Sequence, residues 1–354
     1  METPRASSAK TGLSMFDGRG GNHPTFVIAE AGVNHDGAIA KAFRLVDAAA
    51  RAGADAVKFQ TWKTENVVTR NSQKARYQRK TTSAGESQFE MLKRLELPFG
   101  DFLRLKKYCD RKKILFLSTA DEIESAEFLV ALQPLLKVGS AELTDLPYLA
   151  KLARFRKPLI LSTGMGTLAE VRRAVATLEK NGLAKNQITA LHCTTAYPAR
   201  FEEVNLLAMV TMRRMLGVRV GYSDHTLGIE VPVAAVALGA SVIEKHLTLD
   251  RRSKGPDHSA SIEPPELFEM VRAIRNVERS LGDGLKRPTP AEKVNMPCVR
   301  KSIVARGPIQ KGDVLNEGNL TVKRPGLGIS PDRWREVVGK KAQRNFTKDD
   351  FISL

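Results

Sequence analysis

Eight short apolar runs, each ending in a polar or ionisable residue, constrain this chain more than any other feature. They are Phe26-Val-Ile-Ala-Glu30, Ala56-Val-Lys-Phe-Gln60, Ile114-Leu-Phe-Leu-Ser-Thr119, Leu136-Lys-Val-Gly-Ser140, Leu159-Ile-Leu-Ser-Thr163, Thr189-Ala-Leu-His-Cys-Thr194, Val218-Arg-Val-Gly-Tyr-Ser223 and Val242-Ile-Glu-Lys-His246. Their apolar residues run on instead of alternating with polar ones, as in strands covered on both faces. Segments with helical period lie between most of them. Eight strand–helix units in roughly 250 residues is the grammar of a (β/α)8 TIM barrel of the α/β class. In that fold the C-terminal strand ends form the rim that carries chemistry. Here that rim holds Glu30, Lys58, Thr119, Lys137, Ser140, Glu142, Ser162, Ser223, His225 and His246.

The barrel is expected over residues 25–284, after an N-terminal tail or cap at 1–24. Helices are expected near 38–52, 88–111, 122–132, 145–155, 167–181, 202–215, 229–240 and 264–281. Ser87-Gln-Phe-Glu90 reads as a capping box, and Pro264-Pro265 suits a first helical turn. Residues 285–297 read as a linker, and 298–354 as a small, mainly β domain of short strands and turns. So small a domain is expected to dock on something.

No apolar run approaches the roughly 18 residues of a membrane span. The N-terminal segment has no apolar stretch, so no secretory leader is expected. The three cysteines, Cys109, Cys193 and Cys298, fit a reducing, cytoplasmic setting and no CxxC zinc site. A net charge of +17 attracts either nucleic acid or anionic small molecules. No helix-turn-helix, zinc-finger or RNP signature accompanies it, so no nucleic-acid partner is expected. The connection at 61–87 is long and basic, with Lys63, Arg70, Lys74, Arg76, Arg79 and Lys80. It reads as a solvated surface loop or as an anion-steering flap.

His225 and His246 end neighbouring strands, and such a pair can share one metal ion with open positions left for water and substrate. Taken singly, each is also compatible with a structural histidine. Lys58 and Lys137 lie inside apolar strands, where a cation is costly unless countered. They form internal salt bridges with Glu30 or Glu142, or they face an anionic substrate. Hydroxyls at Thr119, Ser140, Ser162 and Ser223 recur around the rim, as an anion pocket requires. Glu30 and Glu142 are candidates for acid and base or for metal ligation. Asn34-His-Asp-Gly37 is first a turn signal. Cys193 reads as buried filler without a nearby base.

Ile28-Ala-Glu-Ala-Gly-Val-Asn-His-Asp-Gly37, Val57-Lys-Phe-Gln60, Leu161-Ser-Thr-Gly-Met165, Leu191-His-Cys-Thr-Thr-Ala-Tyr-Pro198, Gly221-Tyr-Ser-Asp-His-Thr226, Glu244-Lys-His246, Gly255-Pro-Asp-His258 and Lys323-Arg-Pro-Gly326 together resemble the sialic acid (N-acetylneuraminate) synthase family. The resemblance implies a barrel followed by an antifreeze-like SAF domain. It implies condensation of phosphoenolpyruvate with an N-acetylhexosamine-type aldose, of the N-acetylmannosamine kind, to a nine-carbon 2-keto sugar acid and phosphate. It implies a divalent metal, Mn2+ first and Mg2+ or Co2+ otherwise, on His225 and His246. It assigns phosphoenolpyruvate to Lys58, Thr119, Lys137, Ser140, Ser162, Thr195 and Ser223. Glu30, Glu142, Tyr197 and Asp257 would face the sugar or the attacking water. Arg324 would reach from the small domain into a partner's barrel, in a domain-swapped homodimer. Thr195 stands where some members carry Asn, Ala141 replaces a common Gly, and no Asn in 61–87 aligns with the family's sugar contact. The nearest rivals are synthases for legionaminic, pseudaminic or 9-phosphate products. A non-catalytic basic binding protein would need no such metal-compatible, anion-lined rim.

Overall fold

A computed structural model describes residues 24–83 and 85–354, so the expected tail or cap lies almost wholly outside the described residues. The chain divides after Asp283, with a second compact unit at Gly284–Leu354.

In the first unit eight parallel strands close into a barrel in sequence order. They are β1 (Phe26–Gly32), β2 (Ala56–Thr61), β3 (Leu115–Ala120), β4 (Leu136–Val138), β5 (Leu159–Ser162), β6 (Ile188–Cys193), β7 (Arg219–Asp224) and β8 (Val242–His246). The continuous apolar runs hide a period of two. One set of side chains, including Phe26, Ile28, Leu117, Ile160, Leu191 and Val242, packs inside the barrel as an apolar floor. The alternate set, including Val27, Val57, Phe116, Leu161, Val220 and Ile243, packs outward in the core shared with the helices. Counting on by two from the floor residues reaches Glu30, Lys58, Thr119, Ser162 and His246, so the barrel interior turns polar toward its C-terminal mouth.

The helices mostly follow the sequence pattern. Ser87 accepts from the Glu90 amide while Glu90 accepts from the Ser87 amide, and Pro264–Leu281 starts on its prolines. Two expectations are corrected. The helix expected over 88–111 is two, Gln88–Leu95 and Phe99–Lys112, because Pro98 lacks the amide a continuing helix needs. The linker expected at 285–297 is largely helical, over Pro290–Val299, capped by Thr289 and Glu292. The basic connection is also partly ordered as short helices Thr64–Val67 and Arg76–Thr81.

Asn34-His-Asp-Gly37 is a structural strap. The Asn34 amide donates to the Leu247 carbonyl and to Ser261, both at 2.9 Å, joining the ends of β1 and β8. Gly37 has φ +77, and a Cβ there would stand 2.6 Å from the Arg94 carbonyl oxygen. Asp36 meets His258 Nε2 at 3.1 Å, and His258 Nδ1 meets Thr248 at 2.7 Å. This clamps the segment that bears Asp257.

The second unit pairs β9 (Ser302–Ala305) antiparallel with β10 (Leu320–Lys323). Ile303, Ile309, Leu315, Leu320, Val337, Phe346 and Ile352 form its small core. This unit, expected as short strands and turns, also holds a short helix, Trp334–Val337. Among the described residues no helix is long and apolar enough to cross a membrane.

On the outer face of the barrel, Lys245 and Asp224 form a fully buried ion pair between β8 and β7. Asp224 also accepts from Tyr222 at 3.1 Å and from the Thr226 hydroxyl at 2.9 Å. Removing one partner of a buried pair typically costs about 3–5 kcal/mol. Because Asp224 keeps its other donors, Lys245→Met is expected to lower unfolding free energy by about 3 kcal/mol in a urea titration. A loss under about 1 kcal/mol would show that the pair does not hold these strand ends together.

Candidate active site

The register of the closed barrel assembles the site. Glu30 stands opposite Lys58 on β2 and His246 on β8. Thr119 stands opposite Lys137, and Ser223 opposite both Cys193 and Glu244. His225 lies one residue past the end of β7 instead of within it. A cavity of about 270 Å³ opens among these strand ends. It is lined by Glu30, Lys58, Thr119, Lys137, Ser140, Glu142, Ser162, Thr195, Tyr197, Ser223, His225 and His246, all expected from the sequence. Asp257 is buried beside it, with Oδ2 3.8 Å from His246 Nδ1. Arg324 belongs to the second unit, where it is exposed just beyond β10.

The salt-bridge reading of the interior lysines is met, with Glu30 and Glu244 as the partners, and both lysines also line the cavity. Lys58 Nζ lies 2.7 Å from Glu30 Oε2 and 3.7 Å from Glu244, and donates to Thr119 at 2.8 Å. Lys137 Nζ donates to Ser162 at 2.7 Å and to the Val138 carbonyl at 3.1 Å, with Glu244 at 3.7 Å. Glu142 is a partner of neither lysine. Burial opposes the charge on both. For Lys58 the carboxylates of Glu244 and Glu30 outweigh burial and hold its pKa above the ordinary lysine value. For Lys137 burial wins over Glu244, and its pKa is lowered. Lys137 is therefore the under-compensated cation, facing a cavity with Ser140, Ser162 and Thr195 around it. That arrangement suits an incoming anion. Thr195 Oγ1 is buried and makes no hydrogen bond among the described residues.

The two imidazoles sit with ring centroids 5.3 Å apart. Burial lowers the pKa of His225, and burial together with His225 lowers that of His246 well below the usual value. Both are neutral, as metal ligation requires. His225 Nδ1 lies 2.6 Å from the Thr194 carbonyl, which fixes Nδ1 as the protonated nitrogen and leaves Nε2 as a lone-pair donor. His246 Nδ1 is buried without a hydrogen-bond partner. An orphaned imidazole nitrogen beside a second neutral imidazole fits a divalent cation with open coordination positions.

Carboxylates crowd the same space. Burial raises Glu30, and it raises Glu142 and Asp257 each to about 7, with Glu30 adding to the effect at Asp257. Asp121 is pushed well above the carboxylate range, by burial and then by Glu142.

Sequence reasoning passed over Gln60, Asp121, Glu244 and Tyr77, all of which line the cavity. Glu244 and Gln60 were within reach, because each lies two residues from a recognised interior group on the same strand, His246 and Lys58. Gln60 donates to Glu30 Oε1 at 2.9 Å, and Ser223 donates to Glu244 at 3.2 Å. Of the basic connection, Val67 and Tyr77 line the cavity, and among its described side chains no lysine or arginine does. Cys193 is buried as expected, 3.3 Å from the Ser140 hydroxyl.

The comparisons with known proteins follow the division into a barrel and a second unit. The NeuB family model matches residues 45–286, and the SAF domain model matches 300–354. The chain is 48% identical over 329 residues to the N,N'-diacetyllegionaminic acid synthase of Campylobacter jejuni, covering 93% of this chain and 98% of that one. It is 38% identical over 348 residues to the human N-acetylneuraminate-9-phosphate synthase, covering 96% and 95%. The crystal structure of the N-acetylneuraminic acid synthetase of Leptospira borgpetersenii in complex with citrate superposes with a TM-score of 0.68 at 34% identity, covering 77% of this chain and 90% of that one. On the strength of these matches along nearly its whole length, the protein belongs to the NeuB family of sialic acid and nonulosonate synthases and carries a C-terminal SAF domain.

Proposed function

We propose that the cavity condenses phosphoenolpyruvate with the open-chain form of an N-acylated hexosamine, giving a nine-carbon 2-keto sugar acid and phosphate. The observation that carries this reading is the meeting of two neutral imidazoles and two buried lysines in one hydroxyl-lined cavity. N-acetylmannosamine is the acceptor first implied by the sequence. The 48% identical relative named as a legionaminic acid synthase supports a related N-acylated acceptor as the second reading.

A divalent metal on His225 and His246 would supply Lewis-acid polarisation of the acceptor aldehyde. Lys58 and Lys137, with Thr119, Ser140, Ser162, Thr195 and Ser223, hold the anionic groups of phosphoenolpyruvate so that its C3 faces the aldehyde carbon. That contribution is one of orientation. The C3–aldehyde bond forms, the aldehyde oxygen takes a proton, and positive character develops at C2. Water adds to C2 and gives up one proton to a base; the resulting hydroxyl then gives up its proton as C2=O forms and the C2–O bond to phosphate breaks, and phosphate leaves as hydrogen phosphate. Glu30 is held at both oxygens, by Gln60 and by Lys58. Glu142, raised to about 7 by burial, is the better acceptor for the proton of the water. Asp257 and Tyr197 lie beside the imidazoles, where they would meet the sugar. Arg324, exposed in the segment matched by the SAF model, serves the barrel of a partner subunit in a domain-swapped homodimer, the reading that the family resemblance supports.

Phosphate release measured over a panel of aldoses tests the reaction. Turnover is expected only with N-acylated hexosamine acceptors, to stop in excess chelator, and to return with Mn2+, Mg2+ or Co2+. Full activity in chelator, or phosphate release without an aldose, would overturn it.

The pH profile tests the base. A base must be ionised to act, so kcat is expected to fall as pH drops through about 7, the value to which Glu142 is raised. Glu142→Gln should lower kcat by about a hundred-fold and flatten the acid limb. An unchanged limb in that variant would move the role to another carboxylate.

A further inference from the structure

The condensation gives no role to Asp121, although the fold places it at the heart of the site. Side chains alternate along β3, with Leu117 in the apolar floor, Thr119 on the cavity and Ala120 turned outward. Asp121 is the next interior position, and it too lines the cavity. Thr119 stands opposite Lys137 on β4, so two residues further on Asp121 comes level with Gly139. Neighbouring strands lie about 4.8 Å apart. Gly139 has no side chain to fill the place beside Asp121, and the Glu142 carboxyl fills it instead. A Cβ on Gly139 would stand 2.6 Å from Glu142 Oε2. The chain thus sets the carboxyls of Asp121 and Glu142 side by side, over the ends of β3 and β4.

The neighbours of this pair are engaged elsewhere. Asp121 makes no ion pair and no side-chain hydrogen bond among the described residues. Besides Glu142, the charged groups that face it are Lys58 on β2, Lys137 on β4 and Glu30 on β1. Lys58 is held by Glu30 and Thr119, and Lys137 by Ser162. Tyr148, on the helix Leu146–Ala153, faces both carboxyls but gives its hydroxyl proton to the Ala120 carbonyl at 2.7 Å. Asp145, beside Glu142, accepts from the Tyr148 amide at 3.0 Å. Glu142 itself accepts from the backbone amides of Gly139 and of its own residue. Two carboxyls side by side in one cavity cannot both be charged without strong repulsion. Burial, and then the charge of Glu142, hold Asp121 well above the carboxylate range, whereas Glu142 comes to about 7. Near neutral pH the pair therefore holds one proton, and Asp121 carries it.

We propose that Asp121 and Glu142 share one proton as a pair, the Asp121 hydroxyl donating to the Glu142 carboxylate and turning it toward the water that adds to C2. Asp121 is a positioning residue that acts through Glu142. Its own proton stays in place through the cycle, and the proton taken from water goes to Glu142 alone. This rests on the condensation reading above and adds a residue to it. It also gives the enzyme an upper pH limit. Once Asp121 loses its proton, two charges face each other and Glu142 loses its donor.

The test reads kcat against pH at saturating phosphoenolpyruvate and aldose, with Mn2+ present. The wild type is expected to show an acid limb at about pH 7 from Glu142 and an alkaline limb from Asp121. Rising pH removes the Asp121 proton, so kcat falls on that side. Asp121→Asn keeps a donor but cannot titrate, so it should retain the acid limb and lose the alkaline one. Asp121→Leu should lower kcat about ten-fold, the scale of one hydrogen bond to a charged group, with the KM of phosphoenolpyruvate nearly unchanged. Loss of the Lys137 charge at high pH would act on that KM instead and would persist in Asp121→Asn. An alkaline limb in kcat that survives in Asp121→Asn would overturn the proposal, as would an Asp121→Leu effect on the KM of phosphoenolpyruvate alone. An infrared pH titration of the protonated-carboxyl band, without substrates, separates the pair from the reading it rests on. Above about pH 7 the wild type should keep a protonated carboxyl that Asp121→Asn lacks. If that difference is seen and no aldose is turned over, the condensation reading falls and the shared proton stands. If aldoses are turned over and the two proteins titrate alike, only the pair falls.

Discussion

The site depends on a line of charges buried inside the barrel: Glu30, Lys58, Glu244 and Lys137, contributed by β1, β2, β8 and β4. Lys58 is contacted by two carboxylates and Lys137 by one, at 3.7 Å. A lone lysine at that depth would lose its proton or unfold the barrel. Glu244, 3.7 Å from each lysine, lets both remain inside, and Glu30, paired with Lys58 alone, leaves Lys137 as the cation with most to gain from a bound anion. Parallel closure makes this possible, since neighbouring strand ends bring residues far apart in sequence to one level.

The cavity is out of electrostatic balance by itself. Glu30, Asp121, Glu142, Glu244 and Asp257 crowd a space that holds two lysines. Burial answers by raising four of the five carboxyls, and Glu244, between the lysines, is the one lowered. A divalent cation on the two neutral imidazoles would supply the missing positive charge. The site would then accommodate an anionic substrate next to acidic groups that would otherwise repel it. The strands fix charge and orientation at the floor, while the connection after β2 brings Tyr77 and Val67 to the rim.

Much of the fold was legible, because a run such as Phe26-Val-Ile-Ala-Glu30 signals a strand covered on both faces and a rim residue at its end. His225, His246, Lys58 and Lys137 were legible for the same reason. Glu244 was hidden inside a run read for its last residue. Period two from His246 would have exposed it. Tyr77 carried no local signal, since its place depends on a helix of six residues in a connection whose charges pointed to a different role. The break at Pro98 was visible in the sequence but was overridden by helical period on both sides of it. Arg324 could be singled out only by resemblance. Nothing in the composition of its turn distinguishes it from other surface arginines.

The most direct test of the buried charge line is a calorimetric titration of phosphoenolpyruvate into the wild type and Lys137→Met, both loaded with Mn2+. A charge-assisted contact is worth about 1.5–3 kcal/mol. At 1.4 kcal/mol per decade the variant should therefore bind at least about ten-fold more weakly. Equal affinity in the two proteins would contradict the account, because the cation left with Glu244 as its one carboxylate neighbour would then play no part in holding the anion.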